Sequence, residues 1–172
     1  MNKKIISIIV TSVAIVITVI VTIVTSHNTK TAKKFDKLYN SAISEIFVMV
    51  DGLDKCTTTQ KMLEYVMQNK DRAKNAIDDI RSVCDYFEKV HVPSRLKSEL
   101  AAIKNSLSDM RKFVDSIESV FTATLISDIQ EKCLVTADYV DKAKEFAEAE
   151  KSFFDKLDRL RNRGKKFSFV WL

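Results

Sequence analysis

A stretch of 21 residues near the start of the chain, residues 5–25, contains no charged residue, no glycine and no proline. As a helix that rises 1.5 Å per residue it would reach about 30 Å, the thickness of a bilayer's hydrocarbon core. Lipid offers no hydrogen-bond partners, so a single spanning segment has to be helical even when it is rich in β-branched residues. The sequence therefore predicts a transmembrane helix over residues 5–25, preceded by a short N-terminal tail over residues 1–4.

This apolar stretch is longer than the 7–15 residues usual in a cleaved signal peptide, and no A-x-A-like cleavage site follows it. An uncleaved signal-anchor is favoured. More lysines follow the stretch than precede it, which slightly favours a cytoplasmic location for the rest of the chain. They are Lys3 and Lys4 before the stretch and Lys30, Lys33, Lys34 and Lys37 after it. The short tail with its signal-like start favours export, so the side of the membrane stays open.

One face of the predicted transmembrane helix is lined by small or hydroxylic side chains. Their spacing of 4, 3, 4 and 7 residues forms a strip: Ser7, Thr11, Ala14, Thr18 and Thr25. Such strips allow close helix–helix approach in membranes, which would support a homo-oligomer. The alternative is that each hydroxyl bonds to a carbonyl of its own helix.

The rest of the chain is predicted to be helical because 172 residues hold only two glycines and one proline. Apolar residues recur at alternating intervals of three and four, which is typical of helices that pack along a seam. The predicted seam of the second helix contains Leu63, Val66, Lys70, Ala73, Ile77, Ile80, Cys84 and Phe87, and the charged end of Lys70 is expected to reach water. The predicted seam of the third helix contains Leu96, Leu100, Ile103, Leu107, Met110, Val114, Ile117 and Phe121. The predicted helices cover residues 29–51, 58–90, 94–121 and 127–163. The fold class is all-α: an N-terminal transmembrane helix followed by an antiparallel up-down-up-down four-helix bundle over residues 26–163.

Glycine, proline and capping residues predict where the helices begin and end. Gly52 and Gly164 are expected to end the first and fourth helices, and Pro93 to separate the second from the third. Ser127 and Gln130 resemble a capping box at the start of the fourth helix. The fourth seam is predicted to contain Ile129, Cys133, Thr136, Val140, Ala143, Ala147, Phe154 and Leu157.

The end of the chain, with a C-terminal tail over residues 164–172, combines clustered basic residues with aromatic ones. Even numbers of helices return the chain to its starting side, so this segment is expected near the bilayer. The predicted membrane-interface residues are Arg159, Arg161, Arg163, Lys165, Lys166, Phe167, Phe169 and Trp171. The alternatives are that the tail packs on the bundle or on a partner, that it is disordered, or that its alternating aromatic residues form an added β-strand in a partner's sheet.

The composition and motifs argue against several functions. Residues 27–155 hold 20 basic and 22 acidic residues, so no nucleic-acid-binding surface is indicated. Glu88 and His91 have the E-x-x-H spacing of di-iron bundles, but only one such pair exists, so no metal, cofactor or small-molecule substrate is predicted. Glu145, Glu148 and Glu150 are expected on solvated faces.

Three cysteines, Cys56, Cys84 and Cys133, cannot all pair within one chain. The options are buried free thiols, one Cys84–Cys133 disulfide, or metal or redox chemistry.

Together these patterns predict a single-pass membrane protein without catalytic activity, whose bundle serves as a scaffold, interaction or sensor module. Its partners would be the lipid bilayer and either a protein or further copies of the chain. The layout resembles that of membrane-tethered four-helix-bundle sensors and adaptors, without a family motif. The alternative is a small membrane-active protein of the permeabilisation, lysis-control or immunity type that oligomerises through its transmembrane helix.

Overall fold

The computed structural model describes residues 30–168, with side-chain surroundings for residues 30–162. The predicted transmembrane helix and its strip (Ser7, Thr11, Ala14, Thr18 and Thr25) lie outside the described residues, as do Phe169 and Trp171. No helix within the described range is long and apolar enough to cross a membrane. The chain divides into two units, Met1–Lys34 and Phe35–Leu172. Of the first unit, residues 30–34 are described, and they are helical.

Helices make up almost all of the described chain, and no strand occurs in residues 30–168. The helices are α1 (30–54), α2 (Thr59–Lys89), α3 (Lys97–Phe121) and α4 (Ile126–Ser168), with a 3₁₀ turn at Ser94–Leu96 before α3. The all-α prediction is confirmed.

Helix α1 runs antiparallel to both α2 and α4. Near its start, the ring of Phe35 stacks on that of Tyr86 near the end of α2, with centroids 4.3 Å apart. Further along α1, Glu45 accepts a hydrogen bond of 2.8 Å from Nε of Arg72, which lies earlier in α2. On the other side Tyr39 contacts Phe146 of α4 at 5.4 Å between ring centroids.

Helix α3 is antiparallel to α2 and to α4. Arg81 of α2 forms ion pairs of 2.7 and 2.6 Å with Asp115 and Glu118 in the last turns of α3. At the start of α3, Glu99 pairs with Lys156, which lies late in α4. The second unit is therefore a four-helix bundle with alternating helix directions.

The core follows the predicted seams closely in α3. All eight predicted positions of that helix and its preceding turn are buried: Leu96, Leu100, Ile103, Leu107, Met110, Val114, Ile117 and Phe121. In α2 the predicted seam residue Lys70 is exposed, and its neighbour Asn69 turns inward. Asn69 donates a 2.9 Å hydrogen bond to the carbonyl of Tyr65, so its buried amide is satisfied.

The predicted seam of α4 is correct at Ala143 and Phe154, which are buried, and wrong at Ala147 and Leu157. Phe146, Glu150 and Phe153 are buried, whereas Ala147 and Leu157 are only half-buried. Because a repeat of 3.5 residues drifts on a straight helix of 3.6 residues per turn, the buried face also takes in Phe146 and Phe153, each one position before a predicted seam residue. Glu150 therefore lies in the core and not on a solvated face as predicted; its exposed fraction is 3 %.

Neither glycine ends a helix. Helix α1 continues through Gly52 to residue 54, and α4 continues through Gly164 to Ser168. A Cβ added at Gly52 would lie 2.0 Å from the hydroxyl oxygen of Tyr65. Gly52 therefore allows α2 to place the Tyr65 ring against α1, and it does not act as a helix terminator.

The α3–α4 connection lies where it was predicted, between Phe121 and Ile126. Helix α4 begins one residue before the predicted start, since the amide of Ile129 donates to the carbonyl of Leu125. Ser127 therefore lies inside the first turn, where its hydroxyl faces Asp128 at 3.3 Å, and it forms no capping box with Gln130.

The three cysteines are free. Cys84 is buried in α2, at the level of the aromatic residues late in α4, while Cys133 lies early in α4. The Cys84–Cys133 disulfide is therefore not formed.

Candidate functional site

The predicted interfacial segment is described only in part. Arg159 and Arg161 are exposed on α4. The backbone of Arg163, Lys165, Lys166 and Phe167 is helical, because α4 extends to Ser168, and their side chains are outside the described set. A helical backbone at Phe167 contradicts the β-strand alternative, in which that residue would begin an extended segment.

A basic turn, residues 89–104, connects α2 to α3. It carries four basic residues and a single acidic one, Glu99. The four basic side chains are exposed: Lys89, Arg95, Lys97 and Lys104. Three of them, Lys89, Lys97 and Lys104, line an open groove together with His91 and Glu88, and Val90, Val92 and Leu100 form its apolar wall. The sequence predicted only a break between two helices in this segment.

The basic turn lies at the end of the bundle where α1 enters. Tyr86, three residues before the end of α2, stacks on Phe35, the first residue of the unit. Glu99, just inside α3, pairs with Lys156. The hydrogen bond from Lys156 lowers the pKa of Glu99, so the pair is ionised at neutral pH. The basic stretch of α4 therefore starts at the same end as the basic turn.

The opposite end of the bundle is acidic. Residues 113–131, which span the end of α3 and the start of α4, contain four acidic residues and no basic one: Asp115, Glu118, Asp128 and Glu131. Arg81 neutralises part of this charge through Asp115 and Glu118. The hydrogen bond from Arg81 also lowers the pKa of Glu118.

Large apolar side chains are exposed only at this acidic end, among the residues whose burial the structure describes. Six such residues are at least 47 % exposed: Phe47, Val48, Met67, Leu125, Leu134 and Val135. They lie late in α1, early in α2, in the α3–α4 connection and early in α4. We call this region, together with the four acidic residues, the acidic–apolar end.

A buried polar cluster lies between α1 and α4. The hydroxyl oxygen of Tyr39 and Oε1 of Glu150 are both buried without a hydrogen-bond partner. Burial, followed by the nearby Asp36 carboxylate, raises the pKa of Glu150 to about 8. Burial and then the proximity of Glu150 raise the pKa of Tyr39. Both groups are therefore uncharged at neutral pH, which agrees with their position in an apolar core.

The surroundings of this cluster are aromatic. Phe87 of α2 contacts Phe146, Phe153 and Phe154 of α4, with ring centroids 6.2, 5.5 and 6.0 Å apart. Burial raises the pKa of the neighbouring Cys84 thiol to about 11, so Cys84 is not a thiolate nucleophile at neutral pH. The cluster serves packing between α1, α2 and α4.

The sequence contained a signal for this cluster that the seam analysis missed. Phe146, Glu150 and Phe153 are spaced by four and three, and Phe146 is larger than Ala147, its neighbour in the predicted seam. A comparison of side-chain volumes would have selected Phe146 in place of Ala147.

The E-x-x-H pair of Glu88 and His91 does not assemble a site. Glu88 accepts a 2.7 Å hydrogen bond from Arg111, and His91 is exposed beyond the end of α2. Within residues 30–162 no group of three or more potential ligands is placed to hold a metal ion.

No protein-family model, no curated protein and no solved structure matches this chain.

Proposed function

We propose that this chain is a single-pass membrane protein without catalytic activity, whose helical bundle holds a protein partner at a membrane surface. The observation that carries the proposal is the separation of surface chemistry along the bundle. Basic residues gather at the end where α1 enters, and exposed apolar and acidic residues gather at the other end.

The membrane part of the proposal comes from residues 5–25, which act as a transmembrane signal-anchor. Phe35 is ten residues beyond Thr25, and ten residues of chain span at most about 35 Å. The anchor therefore keeps the entry end of α1 within reach of the bilayer, and the side of the membrane on which the bundle lies is left to a topology experiment.

The partner part of the proposal comes from the acidic–apolar end. Leu134 and Met67 are 72 % and 69 % exposed and belong to the six exposed large apolar side chains at this end, and exposed apolar residues that gather in one region are typical of a protein-binding surface. Asp128 and Glu131 next to them have no ion pair in the described part of the chain. A protein surface that combines basic and apolar residues would complement this end.

The absence of catalysis in the proposal is supported by the state of the buried reactive groups. The Cys84 thiol and the Glu150 carboxyl are protonated at neutral pH and are packed among phenylalanine rings. Such groups stabilise or specify a core more readily than they attack a substrate.

A site-specific photo-crosslinker in the native membrane tests the partner. The full chain would carry the crosslinker at Leu134 or Met67, and the matched control at Ser98, an exposed position on the basic turn. We expect one defined protein adduct from Leu134 and Met67 and not from Ser98. Equal adduct patterns from all three positions would contradict the proposal.

Membrane integration is tested on the same samples by alkaline extraction. The full chain should stay in the membrane pellet, and a variant with Ile15→Lys and Ile17→Lys should be released, because charged residues at a helix centre oppose insertion. Release of the unmodified chain would refute the anchor. Dye leakage from vesicles that contain the protein would instead indicate the permeabilising alternative.

A further inference from the structure

The basic turn at residues 89–104 is not used by the proposed partner surface. Lys89, Arg95 and Lys97 are exposed, and none of them forms an ion pair within residues 30–162. Three uncompensated cations on one short connection are available to an anionic surface.

The turn is held in a fixed conformation. The amide of Val90 donates to the carbonyl of Tyr86 at 2.9 Å, and the amide of Leu96 donates to the carbonyl of Pro93, also at 2.9 Å. The side chain of Leu96 is 2 % exposed and anchors the turn in the core. The cations therefore project from a preorganised backbone, so little conformational entropy is lost when they meet a ligand.

The apolar residues of the turn suit an interface between water and lipid. Val90 and Val92 are half-buried between the exposed Lys89 and Arg95. Side chains of this kind can insert at the headgroup boundary while the neighbouring cations stay with the phosphates.

The position of the turn selects the partner. It lies at the end where α1 enters, and the chain before α1 leads within ten residues to the apolar stretch 5–25. The acidic–apolar end is the other end of the bundle, where an anionic bilayer would be repelled.

We infer that residues 89–104 form a second lipid contact, in which Lys89, Arg95 and Lys97 bind anionic headgroups and fix the basic end of the bundle toward the bilayer. This inference rests on the proposed membrane anchoring. Each cation near an anionic leaflet shifts the ratio of docked to undocked bundle by about fivefold, so the three together shift it by roughly 100-fold.

The test measures the depth of the turn in vesicles that contain the full chain. Val92→Cys carries an environment-sensitive fluorophore in a background of Cys56→Ser and Cys133→Ala, while the buried Cys84 stays unlabelled. Lipids with a nitroxide in the headgroup region quench the fluorophore when the turn is docked. We expect strong quenching with phosphatidylserine present and weak quenching in purely zwitterionic vesicles.

A matched pair of triple variants isolates the turn. The first triple variant combines Lys89→Gln, Arg95→Gln and Lys97→Gln. It should abolish the effect of phosphatidylserine on the quenching. The control triple variant removes the same charge from exposed positions earlier in α2, by Lys61→Gln, Lys70→Gln and Lys74→Gln. It should preserve the effect of phosphatidylserine on the quenching. Circular dichroism confirms that both variants keep their helical content.

The outcomes separate the two hypotheses. If the chain floats with the vesicles but the fluorophore is equally quenched with and without phosphatidylserine, or both triple variants behave alike, the lipid contact is refuted and the anchor stands. If the quenching depends on an added acidic protein and not on the lipid, the turn is a protein-binding site and the inference is overturned. If the unmodified chain does not float, the proposed anchoring fails and this inference fails with it.

Discussion

The buried carboxyl group of Glu150 on α4 lies near the carboxyl group of Asp36 on α1, and burial, followed by this proximity, raises the pKa of Glu150 to about 8. Burial and the nearby Asp36 carboxylate keep the Glu150 carboxyl protonated at neutral pH, so α1 and α4 meet here through a neutral group and not through an ion pair. The stability of the bundle should therefore depend on pH in a direction opposite to that of an ordinary carboxylate.

The first prediction concerns this pH dependence. The pKa of Glu150 is about 8 in the folded protein and near the ordinary value of 4.5 in the unfolded chain. The folded state therefore binds more protons between these values, and Glu150 makes the free energy of unfolding fall as the pH rises through this window, by at most about 5 kcal/mol. Denaturant unfolding of the full chain in micelles at a series of pH values measures the slope.

Two variants isolate Glu150 from the other titrating groups. Glu150→Gln keeps a neutral hydrogen-bonding side chain and should flatten the slope, so that the variant is more stable than the natural chain above the pKa. Glu148→Gln alters an exposed neighbour and should leave the slope unchanged. The same slope in Glu150→Gln and in the natural chain would contradict the assignment.

A second prediction concerns the close approach of Tyr65 to Gly52. Alanine is a better helix former than glycine by about 1 kcal/mol, but its Cβ would lie within 2.0 Å of the Tyr65 hydroxyl oxygen. Gly52→Ala alone should therefore gain less than the propensity difference or lose stability. In a Tyr65→Ala background the same change should give the full gain of about 1 kcal/mol. A double-mutant cycle in denaturant measures the coupling, and purely additive effects would count against the contact.

A third prediction concerns Phe87, the ring that joins α2 to three phenylalanines of α4. Phe87→Ala would leave a cavity among Phe146, Phe153 and Phe154 and should cost about 3–5 kcal/mol of stability. Met67→Ala on the same helix removes an exposed side chain and should change stability by less than about 0.5 kcal/mol. Similar losses from both variants would show that the aromatic cluster is not the packed centre of the bundle.

A fourth prediction orders the reactivity of the three thiols in the native state. Burial raises the pKa of Cys84 to about 11 and also raises the pKa of Cys133, whereas Cys56 is half-buried near the α1–α2 connection. Alkylation monitored by mass spectrometry should modify Cys56 first, Cys133 more slowly and Cys84 only after unfolding. Rapid modification of Cys84 in the folded protein would mean that the α1–α2–α4 core opens.

The sequence predicted the helices and most of the core because periodicity reports directly on which face is buried. The predicted seam of α3 agrees with the buried residues at every position, because its large apolar residues lie on one face of the helix from Leu96 to Phe121. The position of the α3–α4 connection followed from a local run of β-branched and small residues. These features depend on neighbours within one helix.

The misjudged features depend on contacts between helices. The sequence pattern predicts a solvated Glu150 because a glutamate is ordinarily charged, while in the fold burial and the nearby Asp36 keep its carboxyl neutral. The pattern also predicts that Gly52 ends a helix, but no glycine in the described range has a positive φ, and the role of Gly52 is set by Tyr65 on another helix. The basic turn was overlooked because its cations are separated in sequence by apolar residues and gather only on the folded turn.

The length of α2 sets a distance between the two functional ends. Its 31 residues extend about 46 Å, several times the screening length of about 8 Å at physiological ionic strength. In the proposed arrangement a partner docked on the acidic–apolar end lies beyond the electrostatic field of the lipid headgroups. The bundle then acts as a rigid spacer, and the affinity for the partner becomes independent of the lipid composition beneath it.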